Sequence, residues 1–134
     1  MRDTIQIDGA RFTFLEGFYD EVSRQLVPGA NWGRNLDAFN DILRGGFGTP
    51  VGGFVLIWKN HALSRAHLGY HETVRQLRLR LNQCHPSNLP LVQRQLDAAD
   101  RREGPTVFEW LLDIIQAHGR GGQESEDNIE LVLE

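Results

Sequence analysis

Phe54-Val55-Leu56-Ile57-Trp58, FVLIW, carries no polar side chain at any position. The run lies between Gly52-Gly53 and Lys59-Asn60, and it has the length and composition of a strand. A strand wetted on one face alternates polar and apolar residues. An unbroken apolar run therefore predicts burial on both faces, as in a parallel sheet covered by helices. Two weaker strand signals flank it. Ile5 and Ile7 alternate with polar residues in TIQID near the N-terminus, and Ile129, Leu131 and Leu133 alternate in NIELVLE near the C-terminus. Helical patterns separate the three. This order predicts an α/β fold: a small three-stranded parallel sheet packed with helices.

The helices are read from period and caps. Thr13 and Glu16 have capping-box spacing, and Phe18, Val22 and Leu26 follow on one face before Pro28-Gly29 stops the helix. In Asn31-Trp-Gly-Arg-Asn-Leu-Asp-Ala-Phe-Asn-Asp-Ile-Leu43, Asn35 is a good N-cap. At 100° per residue, Leu36, Phe39, Ile42 and Leu43 fall within about 120° of arc, a core-facing stripe. Asp37 and Asp41 share the opposite side, and Asp37 meets the positive end of the helix dipole. HALSRAHL predicts a short helix, and LPLVQRQLDAADRR a longer one. TVRQLRLRL fits either a helix or a strand. Thr106 and Glu109 form a second capping-box pattern ahead of VFEWLLDIIQAH.

The chain has 134 residues, the size of one domain, and its 40% hydrophobic content suffices for a core. Its net charge of −4 argues against direct nucleic-acid binding, which needs clustered Lys and Arg. Cys84 is the only cysteine, which excludes a disulfide framework and suits a reducing compartment. No apolar run approaches the length of a membrane span, and MRDTIQIDGARF lacks the apolar stretch of a secretory signal. The expectation is a cytoplasmic protein with no membrane contact.

Several groups of residues could carry chemistry. Asp37 and Asp41 could pair as general acid and base, but a wet helix face does not tune a carboxylate toward neutral pH. His67 and His71, with Glu72 beside them, have a metal-like spacing, yet Gly69 interrupts the helix between them. His61, His85 and His118 have no matching ligands nearby in sequence. The glycines of RGGFGTPVGG lack the Lys-Ser/Thr ending of a phosphate loop and predict a turning connection. Cys84 reads as a small apolar residue. Trp32, Trp58 and Trp110 read as core anchors by their apolar neighbours, with a half-exposed place at the helix entry as the alternative for Trp32. No cofactor or metal is expected, and the protein reads as a non-enzyme.

The pattern Trp32-Gly33-x-Asn35-Leu36-Asp37-Ala38-Phe39-x-Asp41-x-Leu43, followed by Gly45, resembles the barstar-like family of intracellular ribonuclease inhibitors. FVLIW as second strand, the Asn60-x-x-x-Ser64-Arg65 segment, the apolar helix from Val107 and the terminal strand support it. The resemblance covers Thr4–Leu68 and Val107–Leu133, leaving residues 69–104 as an insertion before the last helix of one domain spanning 1–134. It implies a stoichiometric inhibitor, an antitoxin or immunity protein that is monomeric when free and lays an acidic helix over the active site of a basic ribonuclease or ribonuclease-type toxin. The partner-binding residues it implies are Asn31, Trp32, Asn35, Asp37, Asn40, Asp41, Arg44 and Gly45. Asn31, Asn40, Arg44 and Gly46 depart from the family's contact residues, as does Gln116-Ala117-His118 near the end of the last helix. Arg44 lies within a turn of Asp41 and could pair with it. The rival reading is an interaction module of the same fold that inhibits no ribonuclease.

Overall fold

The computed structural model describes residues 2–134. Three parallel strands, β1 (Asp3–Asp8), β2 (Phe54–Lys59) and β3 (Ile129–Leu133), form one sheet in the order β1-β2-β3. Parallel neighbours need crossovers, and helices supply them. Helices α1 (Leu15–Gln25) and α2 (Leu36–Arg44) lie between β1 and β2. Between β2 and β3 come α3 (His61–His67), α4 (Tyr70–Gln83), α5 (Leu89–Asp100) and α6 (Val107–Ala117). TVRQLRLRL is therefore helical: Leu77 is buried in α4, while Leu79 is exposed.

The central strand corrects one expectation. Phe54, Leu56 and Trp58 are buried in the main core, but Val55 and Ile57 are only half-buried. The register explains the difference. Ile7 and Trp58 pair on the core face, whereas the second face aligns Thr4 with Val55 and Glu130, and Gln6 with Ile57. On that face Thr4, Gln6 and Glu130 are exposed and Val132, beside Ile57, is only half-buried, so the helical layer covers one face of the sheet.

Phe18, Val22, Phe39, Ile42, Phe108, Leu111 and Ile115 complete the core on the covered face. Phe18 stacks on Trp58 with ring centroids 5.4 Å apart and meets Phe39 edge-on at 5.2 Å. Trp58 donates its Nε1–H to Ser64 Oγ at 3.0 Å, which satisfies the one polar atom of the largest core side chain. Leu77, Val92, Leu96 and Ala99 make a second, smaller core between α4 and α5, and Trp110 packs against both.

The first turn of α4 ties the helices together. Glu72 accepts the Leu15 backbone N–H at 2.8 Å, and Thr73 Oγ1 accepts that of Val107 at 2.9 Å. Consecutive residues of α4 thus supply acceptors to the first residues of α1 and α6, whose leading amides have no helical partner. The Thr13–Glu16 capping box does not form. The cap position of α1 is Phe14, and Glu16 instead accepts hydrogen bonds from Arg75 and Gln76. The Thr106–Glu109 box forms as its spacing predicts.

Candidate partner-binding site

Helix α2 is fixed by its apolar side. Phe39 and Ile42 have no exposed surface and Leu43 has almost none. Asn35 caps the helix, its Oδ1 accepting the Ala38 N–H at 2.8 Å. Gly45 ends it with φ of 110°, a conformation that other residues rarely adopt. The loop before the helix is pinned to α1. Of the two places open to it, Trp32 takes the core one: it is 3% exposed, lies edge-on to Tyr19 and donates Nε1–H to Ser23 Oγ at 2.9 Å. Trp32 therefore offers a partner almost no surface; it sets where α2 begins. Beside it, Arg34 is ion-paired with Asp20.

The opposite side of α2 presents Asp37 and Asp41, both exposed. Asn31 and Asn35 are exposed next to them, and Gly45 is half-buried at the far end. Asp37 also borders a groove of about 660 Å³, whose other wall is α4 with Gln76, Leu79 and Arg80. Residues of the 69–104 segment thus lie next to the acidic helix.

Asp41 is not free. Its Oδ1 accepts a hydrogen bond from Arg44 Nη1 at 2.8 Å, and Arg44 Nε donates to Glu124 Oε1 at 2.5 Å. Glu124 precedes β3, far along the chain from α2. Its hydrogen bond raises the pKa of Arg44, and the same bond lowers that of Glu124. The other Glu124 oxygen lies 3.5 Å from His118 Nε2.

His118 is fully buried at the end of α6. Its Nδ1 is 2.6 Å from Asp127 Oδ2, and its Nε2 is 2.6 Å from the Asn40 amide. An amide can turn either a donor or an acceptor to the ring. This arrangement fills both ring nitrogens and fastens α2 to the α6–β3 connection. It corrects the reading of His118 as lacking partners; the acidic residues that reach it, Glu124 and Asp127, are half-buried. Asn40, in turn, spends its amide on His118.

The other constellation comes apart. His67 and His71 are exposed, while Glu72 is buried against Leu15, Arg75 and Gln76. Among the described residues, His118, Glu124 and Asp127 are the group whose ligand atoms come close enough to share a metal ion. The Arg44 guanidinium already supplies positive charge there. The RGGFGTPVGG loop is tightly turned: a Cβ on Gly53 would come within 2.1 Å of the Asn128 carbonyl oxygen. Phe47 and Val51 stand exposed on it beside the end of α2.

The family model described as Barstar (barnase inhibitor) matches residues 2–82, more than half of the chain. The chain belongs to the barstar family. No curated protein matches it. The barstar match runs from β1 into α4 and contains all of α2, with both exposed aspartates. His118, Glu124 and Asp127, which brace that helix, lie beyond the matched span. Barstar membership accounts for the three-stranded parallel sheet with its helical crossovers. No helix among the described residues is long and apolar enough to cross a membrane.

Proposed function

We propose that this chain is a stoichiometric inhibitor of a basic ribonuclease or ribonuclease-type toxin, a cytoplasmic antitoxin or immunity protein that catalyses nothing itself. The observation that carries this reading is the pair Asp37 and Asp41, exposed one helical turn apart on a helix whose other face is locked into the core. A ribonuclease holds phosphate groups with cationic side chains. Two carboxylates at this spacing can stand where phosphates bind and accept charge-assisted hydrogen bonds. A rigid helix delivers them without an ordering cost at the moment of binding. The negative face also speeds encounter with a positive cleft. In this reading the contact is protein to protein, the free chain is a monomer, and the α4 wall of the groove lies beside Asp37.

The second reading, an interaction module without ribonuclease inhibition, draws on one observation: Arg44 stands on Asp41, so part of the acidic face is neutralised from within. Titration separates the two. A panel of basic ribonucleases, barnase first, is assayed for RNA cleavage against increasing amounts of this protein. Inhibition of one member with a one-to-one endpoint supports the inhibitor. Asp37→Ala and Asp41→Ala should each weaken it several-fold or more, and more steeply at low salt. Tight binding without loss of cleavage would favour the module.

A further inference from the structure

We propose that Arg44 is a built-in competitor for Asp41, moderated by Glu124, and that this contact sets how strongly the acidic face takes a basic partner. The proposal rests on the inhibitor reading and concerns its selectivity.

Arg44 and Asp41 are neighbours on one face of α2, and their ion pair is local. The hold of Glu124 on the same guanidinium is not local. The glutamate arrives from the connection before β3 and is placed there by His118, Asn40 and Asp127. Arg44 is thus shared between two carboxylates, one on the partner-facing helix and one behind it.

This sharing has a consequence for an incoming cation. A lysine or arginine of the partner must meet Asp41 while Arg44 already occupies Oδ1. Two cations on one carboxylate repel at a few ångströms, where partly desolvated charges interact strongly. Glu124 relieves the clash by drawing Arg44 toward itself. Removing Arg44 should therefore strengthen binding, and removing only Glu124 should weaken it, because Arg44 then falls wholly on Asp41. The native face would reject moderately basic surfaces and accept only a partner cationic enough to displace the arginine.

A double-mutant cycle tests this. Affinity for the panel ribonuclease is measured with the wild type, Arg44→Gln, Glu124→Gln and the double variant. Glutamine matches arginine in helix propensity, so α2 stays intact; thermal unfolding of each variant checks that. Arg44→Gln should tighten binding about two- to fivefold, the range of a single exposed charge contact. Glu124→Gln should weaken it about as much, and its effect should vanish in the Arg44→Gln background. If Arg44→Gln weakens binding, Arg44 is itself a partner contact and the proposal is wrong. Equal weakening by Glu124→Gln in both backgrounds makes Glu124 a direct contact and is equally fatal. If no protein of the four binds any member of the panel, the inhibitor reading falls, and the competitor with it.

Discussion

Glu72 and Leu15 are 57 residues apart in the chain and 2.8 Å apart in space, carboxylate to backbone N–H. The glutamate is almost wholly buried, and Arg75 and Gln76 complete its hydrogen bonds. A side chain in α4 therefore supplies the acceptor that the start of α1 lacks. Glu72→Ala removes that acceptor and leaves the buried Leu15 N–H unpaired, while the partly exposed Arg75 keeps Glu16. The expected loss is about 1–3 kcal/mol, the cost of a buried donor left without its acceptor, and urea unfolding measures it. A loss below about 0.5 kcal/mol would mean that water replaces the carboxylate.

The same contact predicts an acid response. Burial raises the pKa of Glu72, but hydrogen bonds from Arg75, the Leu15 N–H and Gln76 outweigh it, so the net shift is downward from the ordinary 4.5. A group with a lowered folded pKa stabilises the fold above its unfolded pKa, and that stability is lost as pH falls through the folded value. Stability should therefore decline from about pH 4.5 downward. Glu72→Gln, which cannot titrate, should flatten this decline. Unfolding free energies measured at several acidic pH values decide it; parallel curves for the two proteins would place the acid response elsewhere.

Elements whose signal is local were legible in the sequence. The amphipathic period of α2, the Asn35 cap and the Thr106–Glu109 box need no distant partner, and each stands where its spacing placed it. Readings failed where a residue from elsewhere intervened. The Thr13–Glu16 spacing promised a cap, but Glu72 reached Leu15 and Glu16 turned to Arg75 and Gln76. FVLIW looked covered on both faces because the polar residues that leave one face open, Thr4, Gln6 and Glu130, belong to its neighbours. In the site, Asp37 and Asp41 followed from helical spacing. The brace behind them did not, because 78 residues separate Asn40 from His118. A histidine at a helix end followed by an acidic stretch was the only visible trace.

Capping offers a smaller, sharper prediction. Asn35 Oδ1 is the sole side-chain cap of α2, so Asn35→Ala should cost about 1 kcal/mol. Asn35→Asp should cost little, since aspartate caps equally well. Chemical denaturation of the pair checks this, and an equal loss in both variants would show that the amide nitrogen matters more than the cap.

Trp58 tests the sheet. It is fully buried in β2, between Ile7 of β1 and Leu133 of β3 in register. Trp58→Asp places a charge in the centre of the core and should leave the domain unfolded, with the far-ultraviolet circular dichroism of a disordered chain. Trp58→Phe keeps the aromatic contacts with Phe18 and Phe108 but loses volume and the bond to Ser64. It should fold, less stable by about 2–4 kcal/mol. A folded Trp58→Asp protein would refute the central placement of this strand.

His118 is the last test, because it joins the fold to the site. Its backbone carbonyl accepts the Ile129 N–H at 3.0 Å, while its ring holds Asn40 and Asp127. His118→Leu fills much of the same space but leaves a half-buried carboxylate and an amide without their partner. An unpaired polar group in that setting costs about 1–3 kcal/mol, and a charged one more, so the combined loss should be about 2–4 kcal/mol. The damage should also be regional. The Glu124 N–H, which donates to the Ala117 carbonyl, should exchange faster with solvent. The α1 amide bonded to Glu72 lies outside this network and should keep its protection. Uniform acceleration across the chain would indicate global destabilisation alone. Unchanged protection at Glu124 would show that the connection is ordered without the histidine, and the support ascribed to it for Glu124 and Arg44 would have to come from elsewhere.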